Sequence, residues 1–517
     1  MKLATKRFAF RRWLCRSLAT RQQLSIKAKW IIGLSLFVIS FSIKSLQAVD
    51  LEPTMHTAEQ PGGGMSSDFD ARALAIVAGK GILLRDISDR SDTSLLAHAP
   101  GYPIFLSAVY AMNGRSYFTV QLIQNLINSL SPVLIFLIAG NLISWRVGIA
   151  SGALSAISHH LAYYSNLVLS DSLCPLPILV AVYLLVRVGF RRRASLWVYA
   201  LAGSMIGLSA WIRPNPMLMG LALIVLLVIV GGWRRRVVLN GVVLASATFL
   251  TIAPITIRNY ILYGEFVPIR IGVGIVLWQG LGDASGGRVG ARTDDEVILS
   301  EVALYDNPSY GESWASPDGI TRDRDRVRRS LEIIAAHPVW YLGTIVERMG
   351  EMLKDTADAP LVFRSTDKKL LEALSIARSA KPITRKPNKL DDPQAETIDR
   401  AALRIGRSIS WLRPPARAIQ RVTKETGLPF TLAGLIILFA GSRRRALVIL
   451  FVPLYYLLFQ SVMHTEFRYT LAMRYFLFVL AAVVWTLLFT TAVTLLRKGV
   501  PGMVRTRHQA GRKLGPS

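Results

Sequence analysis

Cysteine is nearly absent from this chain, and so are the compact motifs that would announce a soluble enzyme. Its 517 residues include two cysteines, Cys15 in a basic N-terminal tail and Cys174 inside an apolar run. Two thiols so separated exclude a disulfide framework. No P-loop, G-x-G-x-x-G turn, zinc-ligand spacing or nucleophile elbow occurs, and no internal repeat is visible, which leaves those chemistries without a carrier. Acids are scarce: 33 Asp and Glu stand against 61 Lys and Arg, a net charge of +28. Such an excess can mark nucleic-acid binding. Here the basic residues gather at the ends of apolar segments, which excludes that partner and favours a membrane.

What is abundant is apolar sequence. Hydrophobic residues make up 52% of the chain and the mean hydropathy is +0.38. Runs approaching the roughly 20 residues needed to cross a bilayer recur. Expected spans are Trp30–Leu46, Thr119–Ala139, Val147–Tyr164, Ser172–Val188, Ser195–Ile212, Met217–Val230, Val237–Ala253, Leu428–Ala440, Leu447–Met463 and Leu471–Leu495. The fold class is thus an all-α polytopic membrane protein of about ten transmembrane helices, with a long first outer loop and a large outer insert before the last three helices.

Charge tests that threading. The tail before Trp30 carries nine basic residues, from Lys2 to Lys29, and no acid. Further basic groups are Arg146, Arg191-Arg192-Arg193, Arg234-Arg235-Arg236, Arg443-Arg444-Arg445 and a tail from Arg497 to Lys513. Ten spans put all of them on one side, and the positive-inside rule makes that side cytoplasmic. The first span is too long, and lacks the small-residue cleavage site, for a signal peptide. The expected organisation is a basic tail (1–29), a membrane domain (30–255) with its first outer loop at 47–117, an outer insert (256–426), C-terminal membrane helices (427–496) and a second basic tail (497–517). The protein is expected in the cytoplasmic (inner) membrane with both termini cytoplasmic. In the insert, Asp323–Lys354 has helical apolar spacing broken at His337-Pro338, which predicts helices on the membrane surface or over the first loop. The polar stretch Arg364–Arg400, with Pro382, Pro387 and Pro393, reads as an exposed connection.

The candidate functional residues lie at the outer boundary. In the first loop, Phe69, Ala73, Ile76 and Val77 share one helical face and Gly79-Lys80-Gly81 ends the helix. Ser67 or Asp68 is then the expected N-cap and Asp70 a first-turn acid, either of which could instead take a proton from a hydroxyl. Asp171, at the head of the fourth span, is a second candidate acid because an aspartate near the apolar boundary is costly. Arg258, Arg270, Arg468, His98 and His464 are candidates for holding a negatively charged lipid phosphate. Arg213, Glu466 and Tyr469 complete the set. No metal-ligand cluster stands out, so no cofactor is expected, and a divalent metal is left open.

Several stretches resemble the GT-C-type multi-pass glycosyltransferases that use polyprenyl-phosphate sugars, among them bacterial relatives of protein O-mannosyltransferases and of the lipid A aminoarabinose transferase. They are DFDARALAIVAGKGI with HAPGYPIFLSAVY, SNLVLSDSLCPLPILVAVYLL, SAWIRPNP, PITIRNYILYGEFVPIRIGVGIVLWQGLG, HPVWYLGTIVERM and EFRYTLAMRYFLFVLAA. The resemblance implies inverting transfer of a sugar from the lipid phosphate to a hydroxyl of a glycolipid, polysaccharide or protein. It implies a first-loop acid as base (Asp68), Asp171 as helper, and Arg258 with Arg468 near the leaving phosphate. The chain departs from the pattern twice. With Phe69 as the pattern's aromatic and Ala73 as its alanine, the acid position is Met65, and the carboxylates stand instead at Asp68 and Asp70. His98-Ala99-Pro100 replaces the lysine and Pro-Pro pair of the lipid A subgroup. The alternatives are a transporter or flippase of a lipid-linked molecule and a non-catalytic relative.

Overall fold

A computed structural model describes residues 24–51, 63–80, 89–188, 195–354 and 410–498. The tails at 1–23 and 499–517, the Arg191-Arg192-Arg193 cluster, Gly81 and the connection Arg364–Arg400 lie outside the described residues. Among the described residues the structure is helical without strands. Among the described residues, five helical stretches are long and apolar enough to cross a membrane: Ile26–Leu51, Tyr117–Leu142, Arg235–Tyr263, Arg413–Gly441 and Phe467–Leu496. Pro175–Arg187, Leu196–Ile212 and Met219–Gly231 are shorter apolar helices. The chain is an all-α polytopic membrane protein, and every expected span is a helix or a broken helix.

In chain order the elements are α1 (Ile26–Leu51), α2 (Gly63–Val77), α3 (Gly101–Asn113), α4 (Tyr117–Asn128), α5 (Leu130–Leu142), α6 (Trp145–Ile157) and α7 (His159–Ser165). They continue with α8 (Pro175–Arg187), α9 (Leu196–Ile212), α10 (Met219–Gly231), α11 (Arg235–Tyr263) and α12 (Val273–Ser285). The insert adds α13 (Asp294–Tyr305), α14 (Gly319–Ala336) and α15 (Pro338–Leu353), and the chain ends with α16 (Arg413–Gly441), α17 (Arg443–Gln460) and α18 (Leu471–Lys498).

The bundle packs as membrane helices do, by close approach of small residues. A Cβ at Gly203 of α9 would lie 2.0 Å from the Leu244 carbonyl oxygen of α11, and one at Gly434 of α16 would lie 1.9 Å from that of Leu480 on α18. Outward faces stay apolar: Leu221, Val225 and Ile229 repeat every fourth residue along α10 and are 45%, 60% and 60% exposed. Such a stripe is at home only against lipid.

Two polar devices fix the end of the bundle that carries the first loop. Pro132 has no N–H to give the Asn128 carbonyl. The fully buried Lys44 of α1 supplies the missing donor, Nζ to Asn128 O at 3.0 Å and to Ser40 Oγ at 2.8 Å. The amides of α4 then grip the turn after α7. Gln121 donates to Asn166 O, Gln124 donates to the Ser165 and Leu167 carbonyls, and Asn125 donates to Asn166 Oδ1. Every one of these groups is buried, so their mutual satisfaction makes the turn rigid.

The insert packs over the first loop. Thr93 Oγ1 donates to Ala315 O at 2.6 Å and accepts from Gly319 N, while Asp318 N donates to Ser91 O. Asp323 of α14 accepts from the backbone N–H groups of Gly272, Gly274 and Ile275, capping α12 from outside. Glu301 is buried between Arg322 and Arg326. The break at His337-Pro338 is where the sequence expects it, between α14 and α15. The insert's expected edges fall inside helices, since α11 runs on to Tyr263 and α16 begins at Arg413.

Candidate functional site

Helix α2 carries the first-loop acids, and it begins earlier than the sequence suggests. It starts at Gly63, so neither Ser67 nor Asp68 is an N-cap and Asp70 is not in the first turn. The C-terminal stop holds: Gly79 follows α2 with φ +77, a backbone that only glycine adopts readily.

Successive residues on a helix point about 100° apart, so Asp68 and Asp70 face nearly opposite ways. Asp70 is fully buried. Arg115 grips it with two bonds, Nε to Oδ1 at 3.1 Å and Nη2 to Oδ2 at 2.8 Å, and Tyr110 adds a hydroxyl at 2.9 Å. That makes it an anchor fixing α2 to α3. The Asp68 side chain is 60% exposed and accepts from His98 Nε2 at 3.3 Å. A carboxylate can only accept, so the imidazole N–H is on Nε2. Phe69 seats this pair, its ring 4.7 Å from His98 and 4.9 Å edge-on from Tyr102. Burial, reinforced by Arg72 and Arg270, drives the His98 pKa down to about 4 against the pull of Asp68, so the ring is neutral near pH 7.

Asp68 and His98 open onto a cavity of about 340 Å³ whose other charged walls are Arg72, Lys80 and Arg258. Arg72 is braced by Ser94 O and Leu95 O, and Arg258 by Asn259 Oδ1 at 2.9 Å. Asn259 in turn holds the loop after α11 through Val267 O and Ile269 O. One carboxylate thus shares a cavity with three cations, one of them, Arg72, from the next turn of its own helix.

The other expected residues form a neighbouring cluster. Asp171 does not open α8, which starts at Pro175. It lies in the turn held by α4 and pairs with Arg213. Asp171 is buried and Arg213 half-buried, and the Arg213 guanidinium lies 4.1 Å from the Tyr469 ring. Arg468 donates to Glu466 at 2.6 Å and lies 5.4 Å from the same ring. Against burial, His464 and Arg468 hold Glu466 down at about 2. His464 contacts Asp283 through Nδ1 at 2.5 Å and Glu466 through Nε2 at 3.6 Å, and despite burial these two acids hold its pKa above the usual value. Arg270 joins the two centres: it donates to Ala97 O beside His98, and burial and Arg213 lower its pKa.

The structure therefore groups the predicted residues in two sets. Asp68, His98 and Arg258 share the cavity; Asp171, Arg213, Arg468, Glu466, Tyr469 and His464 share the cluster. Arg258 and Arg468 stand in different sets. Met65, at the position where the resemblance wants an acid, turns to the cluster, with its sulfur 3.8 Å from Arg468 Nη1. Sequence reasoning missed Arg72, Lys80, Arg115 and Asp283. Arg72 had a signal, since it lies one helical turn after Asp68. Asp283 had none. Among the described residues no group of three or more His, Cys, Asp or Glu side chains is arranged to hold a metal ion.

Residues 97–257 match the family model of dolichyl-phosphate-mannose-protein mannosyltransferases. The match takes in His98, Asp171 and Arg213, stops one residue short of Arg258, and leaves α2 outside. It agrees with the GT-C resemblance drawn from the sequence. No curated protein matches the chain significantly. Among solved structures it is similar to the oligosaccharyltransferase of Archaeoglobus fulgidus in the apo form, with 12% identity and a TM-score of 0.48 over 90% of this chain and 52% of that one. It is also similar to the same organism's AglB in complex with an inhibitory peptide and a dolichol-phosphate, at 12% identity and a TM-score of 0.45, over 91% of this chain and 52% of that one. The chain thus spans about half the length of these proteins, and likeness at that level assigns it neither reaction nor substrate.

Proposed function

We propose that the protein is a membrane glycosyltransferase that moves a sugar from a polyprenyl-phosphate carrier to a hydroxyl acceptor at the outer face of the cytoplasmic membrane. The observation that carries this reading is the cavity that the exposed Asp68 carboxylate shares with Arg72, Lys80 and Arg258. The family match over residues 97–257 supports it. A phosphate leaving group needs fixed positive charge as the bond to the anomeric carbon breaks. The attacking hydroxyl needs a carboxylate to accept its proton.

In the proposed reaction the acceptor oxygen attacks the anomeric carbon from the face opposite the phosphate, with inversion. The carbon–oxygen bond to the phosphate breaks, its electrons stay on the polyprenyl phosphate, and the hydroxyl proton passes to Asp68. Neutral His98 donates to Asp68 and holds it in line. Arg72, Lys80 and Arg258 neutralise the departing phosphate. Asp171 acts through Arg213, as a positioning residue for the neighbouring cluster. Threading ten spans by the positive-inside rule supports an outer position for the cavity and cytoplasmic termini. The carrier's long chain explains why such an enzyme would be built into a bilayer. The acceptor is a glycolipid, a polysaccharide or a protein.

A second reading, a non-catalytic relative, has one observation in its favour: Met65 stands against Arg468 where an acid is expected. One experiment separates the two. Purified protein is given a radiolabelled polyprenyl-phosphate sugar and a cell-envelope extract, with Asp68→Asn and Asp70→Asn in parallel. Label transfer by the wild type that is lost in Asp68→Asn at unchanged melting temperature supports the assignment. Transfer unaffected by Asp68→Asn removes this carboxylate from the mechanism, and no transfer from any donor favours the non-catalytic reading.

A further inference from the structure

A groove of about 640 Å³ lies between α1, α5 and α8, at the end of the bundle away from the first loop. On α1 it is walled by Trp30, Leu34 and Phe37, which share one helical face. Trp30 and Leu34 are 76% and 64% exposed, so the rest of the bundle leaves this wall uncovered. Leu130 and Leu137 line the side of α5 that faces it. Gly33 brings the two helices together at the floor, where a Cβ on it would meet Val133 Cγ1 at 3.4 Å. The polar side chains of the lining gather at one end. They are Lys29 in the first turn of α1, Asn141 in the last turn of α5, Trp145 at the head of α6, and Tyr183 and Arg187 in the last two turns of α8. Lys29 Nζ is held there, 4.4 Å from the centroid of the Trp145 ring.

The chain brings no acid to Lys29 and Arg187. No Asp or Glu lines the groove. The sequence has none in residues 1–49, 93–170, 172–264 or 467–517, the segments that hold the groove's walls and both tails. Along α1 the first acid is Asp50, about 32 Å from Lys29 at 1.5 Å per residue, and Arg413 holds it at 2.6 Å. Contact with the Trp145 ring leaves the lysine its charge. From Asn141 to Leu130 the groove follows α5 for about 17 Å, close to the roughly 15 Å hydrocarbon depth of one leaflet. A free anion would use the basic end and leave the apolar walls bare, and a zwitterionic lipid would bring a cation of its own to two others. An anionic headgroup on a hydrocarbon chain uses both ends of the groove. We propose that the groove binds an anionic phospholipid, with its phosphate held by Lys29, Arg187 and Asn141 and an acyl chain along Trp30, Leu34 and Leu137. The site stands at the opposite end of the bundle from the Asp68 cavity and rests on no reaction there.

The test uses the full-length protein in bilayer discs of phosphatidylcholine containing a minor share of phosphatidylglycerol, released into native mass spectrometry. Arg187 and Leu34 are exposed, so Arg187→Gln and Leu34→Trp leave the fold intact. Wild type should retain phosphatidylglycerol well above its share of the bilayer. Arg187→Gln should lower that retention about fivefold, the loss of one basic contact to an anionic lipid. Leu34→Trp should lower it with no change of charge, by filling the groove. Arg235→Gln, an exposed basic residue of α11 at the same end but outside the groove, should leave it unchanged, as should Asp68→Asn. Retention in the wild type equal to the bilayer share overturns the proposal, and so does retention unchanged in either Arg187→Gln or Leu34→Trp. Arg235→Gln acting as strongly as Arg187→Gln would reduce the effect to general attraction by the basic end and overturn the groove. Displacement by inorganic phosphate at equal concentration would assign it to a free anion, and a dimer released without lipid would assign it to a second copy of the chain; either overturns the lipid occupant.

Discussion

Two centres at one end of this bundle are built from the same residue types and arrange them in opposite ways. Around Asp171, every acid is clamped: Asp171 by Arg213, and Glu466 by Arg468 and His464. Around Asp68, the carboxylate is open and the cations line the same cavity without an ion pair to it. A carboxylate bound by a guanidinium loses basicity and gains position, while one bound only by a neutral imidazole keeps both lone pairs within reach of a substrate. On the proposed reading, the cluster shapes the site and the cavity does the chemistry.

The sharpest way to break the comparison is to neutralise one acid from each kind of environment. Asp68→Asn should reduce transfer by about 10²–10⁴-fold, the range for loss of a general base. Its melting temperature should stay that of the wild type, because the side chain is 60% exposed. Asp70→Asn should do the reverse. It leaves Arg115 and Tyr110 facing an amide in a buried pocket, and should destabilise the fold by about 3 kcal/mol, while the fraction that remains folded keeps turning over. Thermal melting and initial rates on the same preparations decide it. If the two variants lose activity alike and stability alike, the distinction between the acids is wrong.

A smaller effect is expected from the cations. Arg258→Gln or Arg72→Gln should raise the KM for the donor about tenfold, as one charge-assisted contact is worth roughly 1.4 kcal/mol in binding, with a lesser change in kcat. Arg468→Gln should instead disturb Glu466 and Tyr469. Equal KM effects from Arg258→Gln and Arg468→Gln would merge the two centres into one phosphate site.

These variants bear on how much the sequence could say. The helices were legible, because apolar runs near spanning length and basic ends survive any packing arrangement. So was the break at His337-Pro338, a local property of proline. The roles of Asp68 and Asp70 were not. They lie two residues apart, and which one faces inward is decided by Tyr110 and Arg115, 40 and 45 positions away. The contact of Met65 with Arg468 spans 403 positions. No window of sequence holds such pairs, so the acid that pattern-matching prefers and the acid that stands in the cavity had to be separated by the structure.

The last prediction concerns His98 and is the most modest. Its pKa is held at about 4 in the fold against an ordinary value of 6.5, so the folded protein refuses a proton that the unfolded chain accepts between those values. The resulting stability is present above pH 6.5 and is lost as pH falls from 6.5 toward 4, where the charged ring would face Arg72 and Arg270. Glu466, held at about 2, loses its contribution only below its ordinary 4.5, and His464, raised by Asp283 and Glu466, loses its contribution as pH climbs. The window between pH 6.5 and 4.5 on the falling side therefore belongs to His98 among these three. His98→Asn should flatten the decline in melting temperature between pH 7 and 5 by a few degrees. If the wild type and His98→Asn decline in parallel, the ring is already charged, and a charged His98 would pair with Asp68 and abolish the open carboxylate on which the contrast between the two centres rests.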